Sequence, residues 1–317
     1  KFLVVDRRLL FAGSANLTTA SLELDNNNAL ILEDPVLARA YGAEFEEMFG
    51  GRRFGAKKND TSATHETTIN GVRVEFYFGP RQRLMDQVLA HLGAARRSAR
   101  FLIFTFARQQ LRERLVASRA AGLSVQGVFD RLQAQGNESE DEALANAEVP
   151  TWIDGNDHAY GGGSMHHKVL ILDGEAGADP TVITGSFNWT SAADSGHDEN
   201  LLILHSAAVA QAYLQEYCSV VARAARHPFY KGSERGCEGR ARLNEVLADP
   251  PGADAGQEYV ELVNGGLSAL DLGGATLSVD GMDRHVFPPD FALPPVSVSV
   301  IYDRGASDAL LRDTPGA

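Results

Sequence analysis

Apolar and polar positions fall into short runs separated by turn residues, and the period of each run indicates its element. Phe2–Val5, Leu9–Ala12 and Ala29–Leu32 are strand-length apolar runs. Pro35–Phe49 has helical periodicity, with Pro35 suited to a first helical position and Gly50 and Gly51 to a helix end. From Gly51 to Asn70 the chain turns polar, basic and rich in turn residues, which predicts a linker over 51–70. Alternation then predicts a strand at Val72–Phe78, and Leu84, Val88, Leu89 and Leu92 give Arg83–Arg97 a helical face. Strands predicted at Arg100–Phe106, Leu123–Phe129, Val149–Ile153, His167–Leu172 and Val182–Gly185 alternate with helices near Gln109–Ala121 and Asp141–Ala147. Such alternation is the pattern of an α/β layer with a largely parallel or mixed sheet. A long helix from Ala207 to about Arg226 closes this region before Pro228.

Beyond Gly232 the texture changes to short alternating strands and Gly/Pro turns: Arg242–Leu247, Tyr259–Val263, Ala275–Val279 and Val296–Tyr302. Ala275, Leu277 and Val279 interleave with Thr276 and Ser278 as a half-buried antiparallel sheet requires. The chain is therefore divided into a first lobe ending in residues 1–50, the linker 51–70, a second α/β lobe 71–230, a linker 231–241 and a β domain 242–317. The chain starts at Lys1 on an apolar run and stops at Ala317 without an obvious last strand, so both ends are expected to be cuts.

The longest apolar runs, such as those within Lys168–Asp173 and Glu199–His205, fall far short of the roughly 20 residues that cross a bilayer. A net charge of −13 excludes a surface that grips nucleic acid by general basicity. Two local basic clusters remain, Arg96, Arg97 and Arg100 in one and Arg52, Arg53, Lys57 and Lys58 in the other, and such runs are usually solvated faces. Two cysteines are too few for a disulfide framework or a zinc site. Cys218 reads as a core thiol on a helix and Cys237 as a linker residue, with one disulfide between them the open alternative.

The chemistry lies in an internal repeat. Lys1–Asp6 and Lys168–Asp173 each read Lys, four apolar residues, Asp; each continues to Gly-Ser-x-Asn, at Gly13–Asn16 and Gly185–Asn188; each reaches an Asn before an apolar strand, Asn28 and Asn200. The spacing from Gly to that Asn is the same in both copies, and the second copy has a longer turn at Gly174–Pro180. In the second copy His166 precedes Lys168 by two, so on a strand the two side chains project side by side. Lys168 can neutralise non-bridging phosphate oxygens, Asn188 can donate to them, and His166 can act as nucleophile or proton donor. Glu199 can orient the imidazole and stabilise its charged form.

His166-x-Lys168-x4-Asp173, followed by Gly185-Ser-Phe-Asn-Trp-Thr and then Glu199-Asn200, resembles the phospholipase D superfamily over roughly Lys1–His227. The resemblance implies a two-lobed α/β/α sandwich with mixed sheets, in which both motifs share one active site. It implies a two-step displacement that needs no cofactor or metal: one histidine becomes a phosphohistidine, the other protonates the leaving group, and water or an alcohol resolves the intermediate. In that family the first-motif histidine is usually the nucleophile, which would leave His166 as acid, then base, although either could serve. The implied site comprises His166, Lys168, Asp173, Ser186, Asn188 and Glu199 from the second copy and Lys1, Asp6, Ser14 and Asn16 from the first. The first copy's histidine would stand two residues before Lys1, so this chain alone is expected to be inactive or severely weakened. Asn27 occupies the position of Glu199, and a neutral amide there is expected to orient that other histidine without a full charge.

Among neighbouring residues, His167 should point to the opposite strand face, and Trp189 should pack. His197 and Asp198 could line the site mouth, and His158 lies on a Gly-rich rim. The C-terminal segments Arg242–Pro250, Glu258–Asn264 and Leu270–Leu277 resemble the lamin tail domain, an all-β immunoglobulin-like sandwich. That resemblance implies an accessory that would bind nucleic acid, envelope or protein, and an extracellular or cell-envelope location. The leading expectation is a nuclease-like phosphodiesterase. The alternatives are a phospholipid hydrolase or transphosphatidylase, and a noncatalytic binding or adhesion protein.

Overall fold

The structure is a computed structural model, and it describes residues 1–59, 64–156, 161–175, 177–234, 237, 241–247, 259–264, 269–279, 282–294, 297–302 and 310–311. The chain divides into two compact units, Lys1–Glu234 and Arg235–Ala317.

The first unit opens with strands β1 (Phe2–Val5) and β2 (Leu9–Gly13), a short helix α1 (Thr19–Glu23), strand β3 (Ala29–Glu33) and helix α2 (Pro35–Phe49). The three strands form an antiparallel sheet in the order β1-β2-β3. Next come β4 (Glu66–Ile69), β5 (Val72–Phe78), α3 (Leu84–Ala94), β6 (Ser98–Ile103), β7 (Phe106–Ala107), α4 (Gln109–Ala120), β8 (Ser124–Phe129), α5 (Asp141–Asn146) and β9 (Thr151–Ile153). The second motif supplies β10 (Lys168–Leu172), β11 (Thr181–Gly185), β12 (Trp189–Thr190), α6 (Ser191–Ser195), β13 (Asn200–His205) and α7 (Ala207–Arg223), and β14 (Ala225–Arg226) follows. A nine-stranded mixed sheet has the order β14-β9-β8-β6-β10-β11-β13-β5-β4, parallel only across β6, β8 and β9.

The repeat in sequence is a repeat in structure. The β10-β11-β13 meander is the counterpart of β1-β2-β3, and both lead through a capped helix start, Asp34 accepting from the Leu37 amide and Ser206 from the Val209 amide. Thr18 and Thr190 cap α1 and α6 in the same way. Both motif glycines lie at positive φ, 156° at Gly13 and 144° at Gly185. A Cβ there would stand 2.4 Å from the Asn28 carbonyl oxygen and 2.3 Å from that of Asn200, so only glycine lets the neighbouring strand approach.

Period-two alternation places this sheet between two cores. Val74, Phe76 and Phe78 of β5 and Leu202 and Leu204 of β13 pack with Leu10, Ala12, Leu37 and Tyr41 of the first copy. Leu201 and Ile203 face the other way, into a core shared with α3, α4 and β6. With both faces covered, the central strands read as continuous apolar runs.

The expected linker over 51–70 differs from what is found. Glu66–Ile69 is edge strand β4, paired with β5 through a turn in which Asn70 and Gly71 both have positive φ. Asn-Gly between two alternating runs is a strong hairpin signal, hidden here by the polar composition around it. Lys58 is buried and paired with Glu44 of α2, with Asp198 3.4 Å away, so this segment is anchored rather than solvated. Neither cysteine is a free thiol: Cys218, on α7, and Cys237 are both disulfide-bonded.

In the second unit the regular elements among the described residues are strands: β15 (Ala241–Leu247), β16 (Tyr259–Asn264), β17 (Leu270–Asp271), β18 (Thr276–Val279), β19 (Met282–Val286), β20 (Ala292–Leu293), β21 (Ser297–Tyr302) and β22 (Leu310–Leu311). They pair as β15-β16-β21-β22, β17-β20 and β18-β19, all antiparallel. Leu262, Phe287, Phe291 and Leu293 form its small core.

Candidate active site

His166 and Lys168 enter at the start of β10. The chain before them is pinned by three bonds: the Ser164 amide donates to Asp25 Oδ1 (2.8 Å), the Met165 amide to Asp130 Oδ2 (3.0 Å) and the His166 amide to the Asn26 carbonyl (2.9 Å). Both side chains lie against the Phe104 ring. The imidazole meets it edge-on at 4.7 Å between centroids, and the Lys168 ammonium sits 4.6 Å from its centre. Lys168 Nζ donates to the His166 carbonyl at 2.7 Å.

The partner of the imidazole comes from the other copy. His166 Nδ1 is 2.9 Å from Asn27 Oδ1, and that amide is fixed because its Nδ2 donates to the Ser21 carbonyl and hydroxyl, both at 2.8 Å. With the Asn27 oxygen as acceptor, Nδ1 carries the hydrogen and Nε2 holds the lone pair. Asn27 was expected to serve a histidine of its own copy, and Glu199 to serve His166; the structure crosses these assignments. Glu199 Oε2 instead accepts from the Ser186 hydroxyl (2.5 Å), and Glu199 lines a cleft of about 260 Å³ together with Lys1 and Asn200. Packing of the two meanders brings each copy's Asn27 or Glu199 position to the other half-site, which no strand period reveals.

Ser14 and Ser186 are supports. Ser14 Oγ donates to Asn27 Oδ1 (3.0 Å) and accepts from the Asn28 amide (3.0 Å); Ser186 Oγ does the same toward Glu199 and the Asn200 amide (3.0 Å). Asn28 and Asn200 lock the copies together, Asn28 Nδ2 donating to Thr184 Oγ1 (2.6 Å) and Tyr41 to Asn200 Oδ1 (3.3 Å). Asn188 has a buried Oδ1 without a hydrogen-bond partner among the described residues, which leaves its amide uncommitted. Asn16 is half-buried, its backbone amide donating to Ser21 Oγ (3.0 Å).

Asp173 and Asp6 do not join them. Asp173 ends β10, roughly 16 Å along the strand from Lys168 at about 3.3 Å per residue. Its carboxylate accepts from three successive amides, those of Arg96 (2.9 Å), Arg97 (2.7 Å) and Ser98 (3.0 Å). It therefore clamps the α3–β6 turn, and its φ of 53° fits a tight turn. Asp6 is likewise in a turn at φ 53°, exposed at the far end of β1 from Lys1. Four intervening strand residues carry the motif aspartates away from the chemistry.

The electrostatics follow from burial. His166 is 9% exposed, and desolvation, then the charges of Lys168 and Lys1, push its pKa from 6.5 down to about 4. Lys168 is 3% exposed and pushed well below its usual value by burial and then by Lys1. Among the described residues no carboxylate lies within ion-pair distance of its ammonium. Asp130 is nearby, its own carboxyl pushed up by burial. Such a buried cation, beside a neutral imidazole, is suited to receive an anion.

Of the other residues, His167 faces away and meets Glu216 of α7 at 3.1 Å, and Trp189 is buried against Phe101 and Phe106. His197 is exposed, 3.8 Å from Glu199, while Asp198 accepts from the Gly55 amide at 2.7 Å. His158 lies outside the described residues. Arg96 and Arg97 sit at the Asp173 end, and Arg100 is paired with Glu175 at 2.8 Å, so this basic cluster is not at the site. Sequence reasoning missed Asn26, Phe104 and Asp130; the hydrophobic strand around Phe104 gave no sign that its end faces a charge.

The sequence family described as cardiolipin synthase, PLD-like domain, matches residues 1–49 and 88–220, more than half of the chain. The chain belongs to this phospholipase D-like family. This phospholipase D-like protein is 29% identical to a phospholipase D of Rickettsia bellii over 48% of its own length and 70% of that protein's. It is 30% identical to the mitochondrial cardiolipin hydrolase of Xenopus tropicalis over 42% of this chain and 58% of that relative. The crystal structure of phosphatidylserine synthase from Haemophilus influenzae shares the fold, with a TM-score of 0.54 at 14% identity, over 73% of this chain and 63% of that one.

Proposed function

We propose that this protein is a metal-independent phosphodiester hydrolase, nuclease-like, working through a phosphohistidine on His166. The observation that carries this reading is the pairing of a buried Lys168, with no carboxylate at ion-pair distance among the described residues, with an imidazole that burial drives toward its neutral form. Family resemblance alone would make His166 the proton donor, but burial and the neighbouring Lys168 charge favour the neutral ring, and with Nδ1 donating to Asn27 the Nε2 lone pair suits a nucleophile. In the first step His166 Nε2 attacks phosphorus, a N–P bond forms, the P–O bond breaks and the leaving oxygen takes a proton from a separate acid. Water then attacks phosphorus, gives a proton to the conjugate base of that acid and displaces the imidazole. Lys168, Lys1 and the Asn188 amide stabilise the charge on the non-bridging oxygens.

A second reading, a phospholipid hydrolase or transphosphatidylase, is favoured by the names of the two relatives and by Leu17, Leu22 and Leu24. These stand exposed along the segment carrying Asn16 and Asn27. The second unit is read as a lamin-tail-type accessory for nucleic acid, envelope or protein. Its β-only described residues support that reading, and the disulfide-bonded cysteines support a location outside the cytoplasm.

Bis(p-nitrophenyl) phosphate tests the chemistry, because its leaving group departs as a stable anion and needs no acid. The expected result is p-nitrophenolate release with chelator present and a base-stable, acid-labile phosphoryl adduct on His166. His166→Ala should show neither. Turnover surviving that substitution, or requiring a divalent metal, would sink the mechanism. Parallel assays on DNA, RNA and phosphatidylcholine separate the two substrate readings.

A further inference from the structure

Three side chains from separate elements converge at the other end of the large sheet. Glu75 of β5, His91 of α3 and His205 of β13 each bring one ligand atom within 4.8 Å of the others. His205 is the last residue of β13, whose first residue, Asn200, belongs to the active site. The five steps between them span roughly 16 Å.

Both rings aim the same nitrogen at the same oxygen. His205 Nε2 is 2.9 Å, and His91 Nε2 3.3 Å, from Glu75 Oε1. The far nitrogen of each ring is already committed: His91 Nδ1 is 2.8 Å from the Gln87 carbonyl, and His205 Nδ1 is 2.9 Å from an Asp179 carboxylate oxygen. A carbonyl and a carboxylate only accept, so each Nδ1 carries its hydrogen and each neutral ring turns a lone pair toward Glu75. Two lone pairs and a carboxylate oxygen facing one another repel unless a cation or added protons lie between them.

This is the donor set of a transition-metal site: two imidazole nitrogens and a carboxylate, with each ring fixed through its far nitrogen. We propose that Glu75, His91 and His205 bind one divalent transition-metal ion, zinc foremost, at a site separate from the phosphodiester chemistry. Bond lengths of about 2.0–2.1 Å in a tetrahedron put ligand atoms about 3.3 Å apart. The two edges to Glu75 are therefore close to that spacing before any movement. Tyr77 donates to Glu75 Oε2 at 2.7 Å, which leaves Oε1 as the ligand atom. Arg73 also reaches Oε1, but it is half-exposed and has a second partner in Glu66 at 3.2 Å, so it can withdraw. A bound ion would tie α3 to β5 and β13, a structural cross-link rather than a catalytic part.

The test uses the full chain, stripped of metal with chelator and dialysed. Calorimetric titration with zinc chloride should show one ion per chain bound at micromolar or tighter affinity, and the melting temperature should rise with zinc but not with magnesium. His91→Gln and His205→Gln should abolish the stoichiometric binding and the thermal shift. Asp179→Asn, on an exposed side chain, should weaken binding about 10–100-fold. His166→Ala should bind zinc as the unaltered chain does. Zinc binding that His91→Gln leaves unchanged, binding lost in His166→Ala, or no zinc-dependent thermal shift would overturn the proposal.

Discussion

Asn27→Asp isolates what a neutral amide does for His166. In the unaltered protein the imidazole donates to Asn27 Oδ1 at 2.9 Å and titrates at about 4. An aspartate would put a negative charge about 4 Å from the imidazolium. At an effective dielectric constant of 20 that attraction is about 4 kcal/mol, or about three pKa units at 1.36 kcal/mol each. Desolvation of the new carboxylate offsets part of this, so His166 should titrate between about 6 and 7. The variant also loses the amide donor that serves the Ser21 carbonyl, at a cost of about 1–3 kcal/mol in stability. Because the folded pKa of about 4 lies below the ordinary 6.5, the unfolded chain binds more protons between those values. Stability tied to His166 is thus fully present above pH 6.5 and is lost as pH falls toward 4, by about 2–3 kcal/mol after allowance for solvent screening. Asn27→Asp should remove most of that acid sensitivity. Histidine-labelled NMR titration, assigned with His166→Ala, reads the pKa directly; on bis(p-nitrophenyl) phosphate the acid limb of the rate profile should move up with it. A folded variant whose His166 titrates within about one unit of the unaltered protein would refute the argument.

Lys168→Met should abolish turnover, by on the order of 10²–10³ or more, while leaving the fold as stable or more so in urea, because a buried ammonium with no carboxylate at ion-pair distance among the described residues is replaced by an apolar chain of similar length. A large loss of stability would contradict the reading of Lys168 as a cation held for substrate. Asp173→Ala should lower stability by about 3–5 kcal/mol, since three amides, that of Ser98 buried, lose their acceptor and alanine must adopt a positive φ, with turnover per folded molecule largely retained. A folded Asp173→Ala protein that has lost its chemistry would return the aspartate to the site.

Much of this protein was legible one residue at a time. Strand and helix periods located the central elements within a few residues, and the equal spacing from Gly13 to Asn28 and from Gly185 to Asn200 disclosed two copies of one supersecondary unit. The pair His166 and Lys168 could be read because residues two apart on a strand share a face. The same periodicity could not say that Asp173, five residues beyond Lys168, is carried out of the site by the strand and clamps a turn instead. Nor did it disclose β4, whose pairing with β5 outweighs a polar composition that reads as linker and hides the Asn70-Gly71 turn. Above all, the acceptor for His166 is Asn27, 139 residues away and in the other copy, where Glu199 of the same copy was expected. Glu75, His91 and His205 are likewise scattered in sequence and meet only where β5, β13 and α3 pack. Local pattern fixes which face a side chain takes, because backbone period is a local property; which partner waits on that face depends on how the two copies pack, and only the tertiary structure decides that.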